Sequence, residues 1–151
     1  MKFAKNKHKK HAHEPGSMSA KADRHALYER SVQDVSHEYD FVTKTFRDIR
    51  GYNAHRLRED FCGTAKMCCE WVSKRDKNTA IGVDIDPEAR RLARAELFLA
   101  GLPNCSLRQG DMYALPFDDQ EFDTVILDDV LVDSAQPAAA VDEARRLLKP
   151  G

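Results

Sequence analysis

The chain has 151 residues, 42% of them apolar and 32% charged, with a formal net charge of −1; size and mixture suit one globular domain. Overall charge therefore selects neither a nucleic-acid nor a membrane partner. No apolar run approaches the roughly 20 residues of a membrane span, and the basic N-terminus lacks both the apolar core of a secretory signal and the Arg-rich pattern of a transit peptide. The four cysteines, Cys62, Cys68, Cys69 and Cys105, match neither a zinc knuckle nor a CxxC pair. They read as reduced thiols of a cytoplasmic protein, with no metal site expected.

Residues 1–13 carry five lysines and three histidines without an acid. Removing those lysines from the 24 basic residues leaves a remainder that is net acidic against 25 acidic ones. With Pro15-Gly16 following, residues 1–19 read as a disordered basic tail, a solubilising arm first and a nucleic-acid arm as the alternative. His8, His11 and His13 on such a tail lack the preorganisation a metal needs. Residues 20–51 read as N-terminal helices. Asp23 can cap a segment containing Leu27, Tyr28 and Val32. Asp34 or Ser36 starts a second, in which Val35, Tyr39, Val42, Phe46 and Ile49 form one apolar stripe. Arg47 and Arg50 suit its last turn and Gly51 its C′ position.

From residue 55 the pattern alternates between strand and helix. Strands are expected at Arg56–Phe61, Thr79–Asp84, Cys105–Arg108 and Asp123–Asp128. Helices are expected at Ala65–Lys74, Pro87 to about Ala100 closed by Gly101, and Pro137–Leu148. Asp86 is placed to cap the second of these, with Pro87 at its first position. Strands separated by helices imply parallel, right-handed βαβ units with helices on both faces of the sheet. The fold class is α/β, a Rossmann-like parallel sheet with flanking helices, over residues 52–151.

In doubly wound sheets, ligands bind at the carboxyl ends of the strands, and four such ends here carry polar residues. They are Leu57-Arg58-Glu59-Asp60-Phe61-Cys62-Gly63-Thr64-Ala65, Gly82-Val83-Asp84-Ile85-Asp86-Pro87, Gly110-Asp111-Met112 followed by Leu115-Pro116-Phe117, and Phe122-Asp123-Thr124-Val125-Ile126-Leu127-Asp128-Asp129. Taken singly, each also reads as an ordinary turn, loop acid or helix cap. In this order and spacing, and followed by Arg145–Gly151 (RRLLKPG), they resemble the class I S-adenosylmethionine-dependent methyltransferases. The segment Arg24–Gly51 with LREDFCGTA also resembles an uncharacterised bacterial methyltransferase-like group.

The resemblance implies S-adenosylmethionine as cofactor and assigns roles by position. Glu59, Cys62, Gly63 and Thr64 fall on motif I, which holds the amino-acid end of the donor. A helix N-terminus suits its carboxylate and a nearby acid its ammonium. Phe61 and Ala65 stand where the family usually has glycine, and Arg58 and Asp60 are polar for a central strand. Asp84, with Ile85 beside it, falls on the acid that accepts both ribose hydroxyls. Asp111 falls on the acid that accepts from the adenine amino group, and Met112 on the residue that packs against the ring or presents its backbone N–H to it. Asp128 and Asp129 lie where the fourth strand faces donor and acceptor, as candidates for donor contact, acceptor contact or base work. Tyr28 and Gln33 are candidates for a lid over the cofactor, with simple helix packing as the alternative for Tyr28.

In the family, the LKPG turn leads into a fifth strand, so the sequence is expected to be a C-terminally truncated form lacking strands five to seven. Strand four would then be an exposed edge open to self-association. The leading function is an S-adenosylmethionine-dependent methyltransferase of unknown acceptor. The alternative is a non-catalytic cofactor-binding or interaction module completed by a partner. A nucleotide-dependent oxidoreductase is disfavoured because CGTA lacks GxGxxG.

Overall fold

The computed structural model describes residues 35–113, 116–127 and 135–150. Eight elements follow in chain order: α1 (Val35–Arg50), β1 (Arg56–Asp60), α2 (Lys66–Ser73), β2 (Thr79–Asp84), α3 (Pro87–Ala100), β3 (Cys105–Gln109), β4 (Thr124–Leu127) and α4 (Pro137–Leu147). The strands form one parallel sheet in the order β3-β2-β1-β4. Strand order reverses beside β1, which places a topological switch point between β1 and β4. This is the α/β Rossmann-like architecture expected from the alternating pattern.

Register decides which side chains share a face. Leu57 lies opposite Ala80 and Thr124, and Glu59 opposite Gly82 and Ile126. Leu57, Ala80, Leu107 and Ile126 belong to a core shared with Met67, Cys68 and Trp71 of α2 and Ala93 of α3. The opposite face brings Ile81, Val83 and Leu127 together with Met112 and with Ala140 of α4.

Local chemistry explains the ends of the elements. Asp86 accepts from the Glu88 N–H at 2.8 Å with Pro87 at the start of α3, and Gly101 closes that helix in the left-handed conformation. Gly51 closes α1 likewise, at φ +76°. Tyr39 of α1 meets Trp71 edge-on at 5.7 Å, and Val35, Val42 and Phe46 pack against the same core. Ile49 departs from the expected stripe and is 74% exposed; it borders an apolar groove beside β4 lined also by Phe41, Val42 and Val125. After α4, Arg50 of α1 donates to the carbonyls of Lys149 and Pro150. Those two bonds tie the LKPG turn to the first helix.

Candidate active site

The β1–α2 connection is wound unusually tightly. Phe61, Gly63 and Ala65 all take positive φ, at 58°, 51° and 60°, so the backbone enters three times within five residues a region that normally calls for glycine. Phe61 and Ala65 hold it without glycine, and side-chain residues there carry a strain on the order of 1–2 kcal/mol each. The surroundings enforce it. Cys62 N–H donates to the Val83 carbonyl and Ala65 N–H to the Cys62 carbonyl, while Ala65 is fully buried.

Glu59 is buried behind this loop. Its Oε2 accepts the backbone N–H of Cys68 at 3.0 Å, in the first turn of a helix that has no side-chain cap and no acid of its own there. A carboxylate at that position meets the positive end of the helix. Glu59 therefore shapes the loop from beneath. The Cys62 side chain also faces inward, with its Sγ only 2.7 Å from where a Cβ on Gly82 would stand. Burial, with Glu59, Asp84 and Cys105 nearby, pushes the Cys62 thiol far above its ordinary value, which leaves it a packing group with no nucleophilic character. Gly63 and Thr64 sit half-buried at the loop tip.

Asp84 ends β2 beside that tip. Its Oδ2 accepts the Gly63 N–H at 2.8 Å and its Oδ1 the Asp86 N–H at 2.8 Å. Each oxygen has one further lone-pair direction, so a carboxylate fixed by two backbone bonds can still accept two hydroxyls. The third loop is tied to the second through Gly110 N–H donating to the Asp84 carbonyl at 3.2 Å. Asp111 is exposed, and its Oδ1 accepts the Tyr113 N–H at 3.0 Å. Met112 is buried against Val83 and Ala140.

A cavity of about 240 Å³ gathers Asp84, Ile85, Asp111 and Met112 with Phe61, Val83, Gly110, Tyr113 and Ala135. Of the residues anticipated from sequence, these four come together in one crevice at the carboxyl ends of β2 and β3. Phe61, in sequence only a departure from the glycine pattern, lines the same cavity. Val83, Tyr113 and Ala135 carried no signal of their own. Tyr28, Gln33, Asp128 and Asp129 lie outside the described residues, as does the whole basic tail. Among the described residues, no cluster of three or more His, Cys, Asp or Glu side chains is arranged to hold a metal.

The lining combines two carboxylates, which offer hydrogen-bond acceptors, with the apolar side chains of Ile85, which is 65% exposed, and Met112. A model of the methyltransferase domain family matches residues 60–151. The chain belongs to that family. The methyltransferase domain is 34% identical over 104 residues to an uncharacterised methyltransferase of Schizosaccharomyces pombe, covering 64% of this chain and 37% of that protein. In fold it is similar to the plantazolicin methyltransferase BamL, solved with S-adenosylhomocysteine (TM-score 0.69, 15% identity, 82% of this chain and 46% of that one). It is also similar to CalS10 of Micromonospora echinaspora, an amino pentose methyltransferase solved with S-adenosylmethionine (TM-score 0.66, 24% identity, 93% and 56%). The methyltransferase domain thus spans less than two thirds of each of these relatives. Among its described residues, no helix is long and apolar enough to cross a membrane.

Proposed function

We propose that this chain binds S-adenosylmethionine in the crevice at the ends of β1, β2 and β3 and serves methyl transfer to an acceptor. The observation that carries the reading is the convergence of Asp84, Ile85, Asp111 and Met112 on one cavity, in the order in which a ribose and an adenine would meet them. Asp84 takes the ribose hydroxyls, with its carboxylate held by Gly63 and Asp86. Asp111 accepts from the adenine amino group, and Ile85 and Met112 sandwich the ring. Gly63 and Thr64, at the tip of the β1–α2 loop, hold the amino-acid end of the donor, while Glu59 and Cys62 fix that tip from below. The family resemblance alone makes Tyr28 a further candidate for contact with the cofactor.

When bound, the cofactor supplies a methyl group on a sulfonium that leaves readily. The protein's share is then alignment more than strong base chemistry. By the family resemblance, Asp128 and Asp129, next in the chain after β4, are the candidates to orient the acceptor or receive its proton. The four free cysteines support a reducing, cytoplasmic setting.

Replacing Asp84 by alanine tests the assignment. Losing its two charge-assisted bonds to the ribose should weaken S-adenosylmethionine and S-adenosylhomocysteine alike, by at least roughly tenfold at about 1.5–3 kcal/mol per bond. Unchanged affinity for both would remove Asp84 from the site.

A further inference from the structure

Arg58 is fully buried in the central strand, at a position the fold would ordinarily fill with an apolar side chain. Its guanidinium reaches three groups on the α4 face of the sheet. Nε donates to Asp60 Oδ1 at 2.8 Å, Nη2 donates to the Met112 carbonyl at 2.9 Å, and the Phe117 ring lies 4.7 Å from its central carbon. The Met112 carbonyl and the Tyr113 N–H belong to one peptide unit. That same N–H is the donor to Asp111 Oδ1. One rigid, planar peptide is thus held at its oxygen by Arg58 and holds, at its nitrogen, the carboxylate of Asp111. Asp111 is exposed and sits on a loop; without this tether its side chain would sample several rotamers.

We propose that Arg58 is a positioning residue for recognition of the adenine base, fixing the Asp111 carboxylate through the Met112–Tyr113 peptide. Asp60 is the counter-charge that allows the guanidinium to be buried there. The inference rests on the cofactor reading given above and goes beyond it, because it makes base selectivity depend on a residue that touches no ligand. Lysine cannot substitute: a single ammonium can meet Asp60 but lacks the fork that reaches the Met112 carbonyl at the same time.

The test compares two ligands on the full chain by calorimetry, S-adenosylhomocysteine and S-inosylhomocysteine, in which the amino group read by Asp111 is an oxygen. The parent protein should prefer the adenine form by roughly tenfold or more, since the inosine form leaves a carboxylate facing an acceptor. In Arg58→Lys, and in the paired Arg58→Leu/Asp60→Leu, that preference should fall to within about twofold of unity. A merely structural role would lower affinity for both ligands together and leave the ratio where it was. A cooperatively unfolding variant of either kind that retains the parent's ratio overturns the inference. A parent that binds both ligands equally overturns it through Asp111. A parent that binds neither removes the cofactor reading first, a result distinct from the other two.

Discussion

The Arg58–Asp60 pair has 0% and 2% of its side-chain surface exposed, and burial in a central strand is costly for both charges. Burial pushes the Asp60 carboxyl from 3.8 up to about 6 despite the attraction of Arg58, with Glu143 nearby adding to the rise. That displacement corresponds to about 3 kcal/mol by which the folded chain disfavours the charged form. Replacing both residues by leucine should therefore leave the domain as stable as the parent or more stable by about 1–4 kcal/mol. Asp60→Leu alone leaves a guanidinium that cannot shed its proton, and should cost about 3–5 kcal/mol. Arg58→Leu alone leaves a carboxyl that can take up a proton, so its cost relative to the parent should shrink as pH falls toward about 6, where the parent's Asp60 takes up its own proton. Urea unfolding followed by circular dichroism, with all four proteins in one thermodynamic cycle, measures the coupling. Additive single effects, or a double variant as weak as Asp60→Leu, would refute the view that the pair serves position at the expense of stability.

Other consequences follow from the same packing. Gly82→Ala would set a methyl 2.7 Å from Cys62 Sγ and 3.0 Å from Leu107 Cδ2, so unfolding should cost about 1–3 kcal/mol less than in the parent; adding Cys62→Ala should recover part of that loss in the same denaturation assay. Burial pushes the Cys69 thiol up to about 12, and hydrogen bonding to Cys105 with burial raises Cys68 well above its ordinary value. Cys62, Cys68 and Cys69 should therefore react with a thiol reagent at about pH 8 far more slowly in the folded chain than in urea, as mass spectrometry of the labelled protein would show. In the pH profile, the raised Asp60 means the folded state gains a proton first, so its contribution to stability grows as pH falls from about 6 toward the unfolded value of about 3.9. Asp123 and Glu143 act oppositely. At Asp123, burial is outweighed by Lys149 and two backbone N–H groups, and Glu143 is held low by Arg146; their stabilisation is present above unfolded values of about 3.9 and 4.3 and is lost below them. Melting temperatures should rise as pH falls from about 6 and peak near about pH 4, where Asp123 and Glu143 begin to lose their contribution, and the double leucine variant should lack that rise.

How much of this was legible in the sequence depended on whether the signal was local. Asp86-Pro87 and Gly101 announced both ends of α3, because caps and stops act within one turn. β2 and β4 were readable from apolar runs, and β1 and β3, which are mostly polar, from their places between helices, all to within a residue or so wherever they are described. Asp84 and Asp111 stood out by their places after strands. Motif I was harder: the glycine pattern fails at Phe61 and Ala65, yet the backbone there is left-handed all the same, since surrounding hydrogen bonds and burial impose what the residue types do not favour. Arg58 and Asp60 looked misplaced in a central strand. Their i, i+2 spacing puts opposite charges on one face of a strand, a hint of pairing, but the tether to Met112 spans 54 residues and has no sequence signature. Ile49 kept the helical period and still ended exposed, because period reports a face and cannot say how far the core beneath it extends.

The central claim is that the crevice beside Asp84 and Asp111 takes the methyl donor. Calorimetric titration of the chain with S-adenosylmethionine, S-adenosylhomocysteine and NAD addresses it most directly. Saturable binding of the first two, with NAD bound far more weakly, is the predicted result. Binding of none of the three, or of NAD as tightly as the others, would contradict it.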